Sequence, residues 1–324
     1  MRRMFTAGLA ALAIGVGLLA TASISGASSW EGSGGQHQPP TSSPWQSHPG
    51  GGGGGVTEDD QSGISGTNGF QGVTPDGRNG YCAVTPTSGV ACWGYGGDGE
   101  LGNGTTTNSA TPVAVVGVGG TGTLMGVRSV VSDGTGFCAI LGSGRVDCWG
   151  LGSGALGNGS TANSATPVAV VGVGGTGLLG GVRSMTSYGL GYCALLNYGG
   201  VNCWGFNGDG ELGNGATTDS ATPVAVVGVG GTGVLDGVRS IVSDANYSTC
   251  AIRVTGGVYC WGFGGNGELG GTTATSSATP VAVVGVGGTG SLNVGSLDCD
   301  DHGWSPASGC GYPSWNGGSG ASDH

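Results

Sequence analysis

Short apolar runs separated by glycine fill most of residues 73–292. The first of these runs are Cys82–Thr85, Val90–Trp93, Pro112–Val118 and Val127–Ser132. Runs of this length that are rich in β-branched and aromatic residues and are bounded by glycine predict strands. Pro112–Val118 is apolar at consecutive positions, a pattern typical of a strand that is covered on both faces. The pattern therefore predicts an all-β protein whose sheets stack on one another.

Two sequence blocks recur four times along this region. Cys-Trp-Gly begins at Cys92, Cys148, Cys203 and Cys260, and Ser-Ala-Thr-Pro-Val begins at Ser109, Ser164, Ser220 and Ser277. The tryptophans of the first block are 56, 55 and 57 residues apart. Because one four-stranded unit cannot bury both of its faces alone, units with this period must stack. Circular stacking of four-stranded sheets gives a β-propeller. The alternative is a linear β-solenoid, whose repeats are usually shorter.

The repeats predict how the chain is organised. Four propeller repeats occupy about 73–126, 127–181, 182–237 and 238–292. The Gly-, Pro- and Ser-rich segment 28–72 buries little apolar surface, which predicts a disordered linker. Residues 293–324 depart from the repeat and form an irregular tail, interpreted as a degenerate fifth repeat.

Residues 1–27 are interpreted as a secretory signal peptide. Arg2 and Arg3 precede an apolar stretch that is too short to span a bilayer, and small residues follow it. Cleavage after Ala22 and cleavage after Ala27 both fit, and so do general secretion and twin-arginine export. The expected location is therefore extracellular, without a stable membrane anchor.

Ten cysteines support export, because an even number in a secreted chain implies disulfide bonds. In each repeat, two cysteines lie ten residues apart at the start of a predicted hairpin. If Cys82 faces Cys92, then Ala83 faces Ala91 and Val84 faces Val90, which leaves a tight loop and places the two sulfurs within bonding reach. Metal ligation is the alternative, but zinc cysteines are closer in sequence, and no histidine lies between residues 49 and 301. The predicted disulfide cysteines are Cys82, Cys92, Cys138, Cys148, Cys193, Cys203, Cys250, Cys260, Cys299 and Cys310, with the last two pairing in the tail.

The composition and net charge argue against one class of function, nucleic-acid binding. The chain has 324 residues, of which 79 are glycine, and a formal net charge of −11; all of its basic residues are arginine. So acidic a chain neutralises few phosphates, which argues against nucleic-acid binding. The repeat period assigns the glycine excess to turns rather than to disorder.

The ordered recurrence of Cys-Ala, Cys-Trp-Gly, Gly-Glu-Leu-Gly-Asn-Gly, Thr-Pro-Val and Val-Arg-Ser resembles the regulator of chromosome condensation type of β-propeller repeat, in its secreted, cysteine-containing bacterial version. The resemblance implies four-stranded blades that typically close a seven-bladed ring. This chain shows four repeats, so an open arc, a four-bladed ring and a homo-oligomer that completes the ring all remain open. The family that the chain resembles includes nuclear exchange factors and secreted β-lactamase inhibitors. The predicted signal peptide argues against a nuclear role for this chain.

Catalytic chemistry is sparse in the repeats. The histidines are His37, His48, His302 and His324, all outside the repeats, and the chain has no lysine. This removes the usual histidine bases and metal ligands, so neither a metal nor a cofactor is expected. A competing hypothesis is a secreted glycosidase or lyase that uses the loop carboxylates Asp209 and Glu211. A third is a truncated repeat product without an independent role.

The sequence thus favours a secreted, non-catalytic scaffold that binds an extracellular protein or a cell-surface polymer. Function on a rigid repeat scaffold is expected at loop residues that differ between the repeats. The candidate binding residues are Tyr188, Asn197, Tyr198, Asn246 and Tyr247.

Overall fold

A computed structural model describes residues 71–272 and 275–295. The strands in these ranges are β1 (Gln71–Pro75), β2 (Gly80–Val84), β3 (Val90–Gly94), β4 (Ser109–Ala114), β5 (Val127–Ser132), β6 (Gly136–Leu141), β7 (Val146–Gly150), β8 (Ser164–Ala169), β9 (Val182–Ser187), β10 (Gly191–Leu196), β11 (Val201–Gly205), β12 (Ser220–Ala225), β13 (Val238–Ser243), β14 (Ser248–Arg253), β15 (Val258–Gly262) and β16 (Ser277–Ala282). Short 3-10 turns at Val118–Gly120 and Val173–Gly175 follow β4 and β8.

The strands form four antiparallel sheets of four strands each, and in every sheet the strand order follows the chain. We call these sheets blades 1 to 4, from β1–β4 to β13–β16. The predicted all-β architecture of about four four-stranded blades is confirmed. The run Val127–Ser132 is β5, the first strand of blade 2. One strand prediction needs correction: the strand predicted at Pro112–Val118 is Ser109–Ala114, because the chain turns after it and enters a 3-10 turn at Val118.

The central hairpin of each blade has the predicted register. Cys82 pairs with Cys92, Ala83 with Ala91 and Val84 with Val90. The disulfides are Cys82–Cys92, Cys138–Cys148, Cys193–Cys203 and Cys250–Cys260, with Cα atoms 4.0 to 4.1 Å apart. The predicted intra-blade disulfides are therefore confirmed in all four blades. Cys299 and Cys310 lie outside the described residues, as do the predicted signal peptide and nearly all of the predicted linker and tail.

Each blade has two ends. The turn face carries the turn between the first and second strands and the long loop between the third and fourth strands. The hairpin face carries the hairpin loop between the second and third strands and the connection to the next blade. Adjacent turns contact one another, since the Tyr247 amide donates to the Tyr188 carbonyl oxygen at 2.9 Å across blades 3 and 4.

A tryptophan contact joins each blade to the one before it. The indole Nε1–H groups of Trp149, Trp204 and Trp261 donate to the carbonyl oxygens of Glu100, Ala155 and Glu211 at 2.8 to 2.9 Å. All three tryptophans are fully buried. In a second recurring contact, the Gly104 amide of blade 1 donates to the Ala165 carbonyl oxygen of blade 2. The repeat tryptophans therefore pack between blades, beside the disulfides.

Candidate functional site: the turn face

An aspartate caps the turn between the first and second strands in three of the blades. In blade 2, Asp133 Oδ1 accepts the amide hydrogens of Thr135 and Gly136 at 2.9 Å. Asp76 and Asp244 make the equivalent contacts in blades 1 and 4. A carboxylate in this position satisfies amides that would otherwise be buried without a partner. These acids build the loop, so their presence alone does not indicate catalysis.

Tyr188 replaces this aspartate in blade 3. Its hydroxyl lies 2.8 Å from the Trp204 carbonyl oxygen and 3.0 Å from that of Phe206, and the residue is 0% exposed. The tyrosine side chain thus stabilises the turn by donating to carbonyl oxygens, whereas the aspartates of the other blades accept from amides. Tyr188 differs from its equivalents because it packs inside the turn, and its predicted binding role stays a prediction.

The other four candidates fall into two groups. Asn246 and Tyr247 lie in the turn between β13 and β14, on the turn face; Asn246 is exposed and Tyr247 is half-buried. Asn197 and Tyr198 lie in the hairpin loop between β10 and β11, at the opposite end of the blades, where Tyr198 is 76% exposed. The structure therefore does not bring the sequence-predicted residues into one patch.

Sequence reasoning missed an apolar series on the turn face. The residue after each Cys-Trp-Gly is Tyr95, Leu151, Phe206 or Phe263. Tyr95 is 37% exposed, and the other three are partly exposed. The Phe206 ring packs edge-on against Tyr247, with centroids 6.0 Å apart. The signal was present in the sequence, because the same position carries a large apolar side chain in every repeat.

The glycine before each of these residues explains their exposure. Gly94 has a φ of 103°, and a Cβ there would lie 2.0 Å from the Asn79 carbonyl oxygen. Only glycine adopts this backbone readily at so close an approach. The chain turns away from the sheet at this glycine, and the next side chain emerges on the turn face.

A small cleft lies between the turns of blades 2 and 3. Its volume is about 170 Å³, and it is lined by Asp133, Thr135, Leu151, Ser153, Ala155, Leu190, Phe206 and Asp219. Small-molecule sites usually enclose roughly 300–1,000 Å³. A cleft of this size fits one side chain of a partner better than a sugar or a nucleotide.

Most of the described acidic side chains lie on the turn face, and most of the described arginines lie at the hairpin end. Asp236 is an exception, because it is exposed at the hairpin end and pairs with Arg253. Exposed or half-buried carboxylates on the turn face are Asp98, Asp209, Asp219, Asp244 and Glu268. The arginines at the hairpin end are Arg128, Arg145, Arg183, Arg239 and Arg253. Arg78 is the arginine that the described part of the chain places on the turn face. The turn face is therefore an acidic surface with apolar side chains set into it, and it attracts basic partners.

The carboxylates of the glycosidase hypothesis do not share an accessible site. Glu211 is 0% exposed, and its Oε2 accepts the Asp209 amide hydrogen at 2.9 Å. Asp209 Oδ1 accepts a hydrogen bond from Ser276 of blade 4 at 3.2 Å. Glu211 shapes its loop and meets the next blade, so a polysaccharide cannot reach both groups together. Within 71–272 and 275–295, no three histidine, cysteine or acidic side chains are grouped so as to hold a metal ion.

Burial raises the pKa of Glu211 to about 7. In its blade 4 equivalent, Glu268, burial also acts to raise the pKa, but the hydrogen bonds from the loop amides and from Asn266 together outweigh it and lower the pKa. A raised pKa in the folded state means that the folded chain holds the proton more tightly than the unfolded chain. The resulting stability is complete below the unfolded pKa of 4.5 and is lost as the pH rises through about 7.

We therefore expect Glu211→Gln to raise the free energy of unfolding at pH 8 by about 2 kcal/mol and to change it little at pH 4.5. Urea unfolding followed by tryptophan fluorescence at both pH values measures this difference. Glu268→Gln is the matched control, because no following blade covers the same loop position of blade 4 within the described residues. An equal effect of Glu211→Gln at both pH values would show that its charge is not the cause.

No family model matches the chain. Curated relatives do match its repeats. The chain is 31% identical over 204 residues to the ultraviolet-B receptor UVR8 of Arabidopsis thaliana, covering 61% of this chain and 43% of that protein. It is 29% identical over 206 residues to the mitochondrial RCC1 domain-containing protein RUG3 of the same plant, covering 62% and 44%. The repeats of this chain are similar to RCC1-type repeats. The predicted resemblance to this repeat family is confirmed.

The chain is also similar to a further curated protein and to solved structures. The human E3 ubiquitin-protein ligase HERC2 is 30% identical over 226 residues, which cover 68% of this chain and 4% of HERC2. The chain thus spans less than half the length of these curated relatives. Human WBSCR16 superposes with a TM-score of 0.52 at 23% identity, over 69% of this chain and 55% of that one. Yeast RCC1 (Prp20), solved with Kap60, gives 0.52 at 17%, over 69% and 50%. These structures establish the propeller-type fold.

Among the described residues, no helix is long and apolar enough to span a membrane.

Proposed function

We propose that this protein is a secreted, non-catalytic scaffold that binds a basic extracellular protein through its turn face. The observation that carries the proposal is the row of aromatic side chains among acidic groups on that face. Phe206 and Tyr247 form a partly exposed edge-to-face pair, and Asp219 lines the neighbouring cleft. Rigid aromatic side chains are frequent at the centres of protein interfaces.

The shape of the turn face favours a protein over a small molecule. The cleft of about 170 Å³ receives a single side chain, and Phe206 of blade 3 in its lining packs against Tyr247 of blade 4. A flat partner surface contacts several blades at once, and its basic side chains meet the carboxylates of the turn loops. A cell-surface polymer without positive charge lacks this second interaction.

The relatives support a binding role of this kind. UVR8 is a receptor, and yeast RCC1 has been solved with Kap60 bound to it. The propeller-type fold in those proteins is thus compatible with specific recognition. For this chain, secretion is inferred from the predicted signal peptide and from four disulfides, which persist mainly in oxidising compartments.

Site-specific photo-cross-linking tests the proposal and identifies the partner. Variants with p-benzoylphenylalanine at Phe206 or at Tyr198 are exported by the native cell and irradiated there. We expect a covalent protein adduct from position 206 and none from position 198 on the hairpin face. The captured protein is expected to be basic, and adding Phe206→Ala and Tyr247→Ala to the unlabelled chain should weaken its affinity about tenfold or more.

The matched control is Tyr198→Ala, which removes a more exposed tyrosine from the other end of the blades. It should leave the affinity within about twofold, as expected for a residue outside the interface. Cross-linking from position 198 alone would assign binding to the hairpin face. Adducts to polysaccharide only, or no adduct from either position, would refute a protein-binding turn face.

A further inference from the structure

One interface occurs three times inside the chain, with the same parts each time. The leading blade supplies a glycine-rich loop, and the following blade supplies its tryptophan and the start of its fourth strand. Between blades 1 and 2, Trp149 donates to the Glu100 carbonyl oxygen, the Gly104 amide donates to the Ala165 carbonyl oxygen, and Asn163 donates to Asp98. The loop side also contributes Leu101, Val115 and Leu124, which are at most 4% exposed.

Blade 4 presents the loop half of this interface, and no blade covers it within 71–272 and 275–295. Leu269 remains buried, but Val283 and Leu292 are half-buried, whereas their blade 1 equivalents Val115 and Leu124 are 0% and 4% exposed. The blade 1 glycine Gly99 packs so closely against Ala165 that a Cβ on it would lie 2.6 Å from the Ala165 Cα atom. A Cβ on the equivalent Gly267 of blade 4 would meet nothing within 4 Å. The described residues thus leave an apolar, loop-shaped surface open at the end of blade 4.

Blade 1 presents the other half. Trp93 is half-buried, whereas its three equivalents are fully buried, and its neighbour Tyr81 is 41% exposed against 0% for Phe137. Tyr81 and Trp93 stack on each other with centroids 5.8 Å apart. Among the described residues, the Trp93 indole Nε1–H has no acceptor. An apolar aromatic pair is therefore open at the start of the array.

An open depression lies beside this aromatic pair, in the place where a loop is seated in the other blades. Its volume is about 380 Å³, and it is lined by Asn79, Gly94, Tyr95, Asn108, Ser109 and Ala110. Ser109 and Ala110 correspond to Ser164 and Ala165, against which the blade 1 loop packs at Gly99. The depression has the lining of a loop seat, and blade 4 carries a loop of the corresponding sequence.

We propose that a second copy of this chain docks head to tail, with its blade 4 loop in the blade 1 depression. The Trp93 indole donates to the Glu268 carbonyl oxygen of the other copy, and the Thr272 amide donates to the Ala110 carbonyl oxygen. Both contacts repeat those that join the internal blades. A second copy is favoured over an unrelated partner because the two open surfaces are the two halves of one established interface.

Such a contact is heterologous, so it leads to a closed ring if the geometry returns on itself and to longer chains if it does not. The contact uses the end surfaces of blades 1 and 4 and leaves the Phe206–Tyr247 pair on the turn face free. Self-association and the proposed partner binding are therefore separable by experiment.

Sedimentation velocity of the full exported chain between 1 and 100 µM tests the proposal, where this range is on the order of common protein–protein dissociation constants. We expect the wild-type chain to sediment as a dimer or larger species. Trp93→Asp removes the aromatic half and Leu292→Asp removes the loop half, so each variant alone should be monomeric. An equimolar mixture retains one intact interface and should give a 1:1 dimer and nothing larger.

Circular dichroism and urea unfolding establish that both variants are folded, and Tyr198→Asp on the hairpin face should associate like the wild type. A monomeric wild type whose variants also fail to pair would overturn the proposal. If deletion of residues 296–324 turned a wild-type monomer into an oligomer, the chain's own tail would be the occupant, and the proposal would equally be lost.

Discussion

Reduction of the four disulfides unfolds the blade array under conditions in which the oxidised chain is fully folded. Each disulfide closes a hairpin with a sequence separation of 10. A closed loop of this length stabilises a fold by about 3 kcal/mol in the chain-entropy description. Four of them contribute roughly 10 kcal/mol, which is comparable to the entire stability of an ordinary domain. The effect is large here because a glycine-rich chain loses much backbone entropy on folding.

Urea unfolding with and without a thiol reductant, followed by circular dichroism, measures this loss. Cys193→Ala combined with Cys203→Ala isolates one bond and should cost about 3 kcal/mol. The single variants Cys193→Ala and Cys203→Ala each break the disulfide but keep one cysteine side chain. Comparing them with the double variant separates the effect of the lost covalent bond from the effect of the lost packing. A reduced chain that unfolds at the same urea concentration as the oxidised one would show that packing alone maintains the blades.

Trp204→Ala should destabilise the chain by about 3–5 kcal/mol, the range for deleting a buried aromatic side chain. Trp204 is fully buried between blades 2 and 3, and its indole nitrogen donates to the Ala155 carbonyl oxygen at 2.9 Å. Truncation leaves a cavity at the interface and an unpaired buried carbonyl group. Urea unfolding, with far- and near-ultraviolet circular dichroism compared, measures both the loss and its cooperativity.

Trp93→Ala provides the matched control, because Trp93 has the same sequence context but no blade precedes it in the part of the chain that the structure describes. At concentrations at which the chain is monomeric, it should cost less than half as much as Trp204→Ala. Equal losses at both positions would mean that the tryptophans stabilise their own blades rather than the contacts between blades.

The fold was predictable to an unusual degree because the repeats supply several aligned copies within one sequence. The ten-residue spacing of Cys82 and Cys92 determines the hairpin register, and the recurrence of that spacing identified the bonded pairs. The ends of the strands were less predictable from the sequence. Val115 and Val116 are β-branched and apolar, yet the last residue of β4 is Ala114, because the Val116 amide donates to the Gly102 carbonyl oxygen in the loop of the same blade and the chain then turns at Val118.

The candidate site was predicted less well, for a physical reason. Sequence reasoning gave weight to residues that differ between repeats, and Tyr188 differs because it replaces an aspartate as an internal cap. The exposed series at Tyr95 and Phe206 is instead constant in its apolar character, and exposure of such residues follows from the backbone turn at the preceding glycine. The burial of Glu211 depends on blade 4, which lies more than 25 residues along the chain.

Hydrogen exchange of the indole N–H groups of the monomeric chain tests most directly whether each blade is completed by the tryptophan of the next. Trp149, Trp204 and Trp261 donate to carbonyl oxygens in the preceding blade, and Trp93 has no acceptor among the described residues. Nitrogen-15 spectra recorded after transfer to deuterated buffer should retain the signals of the first three and lose that of Trp93 at once. Rapid exchange of all four indoles would contradict the account.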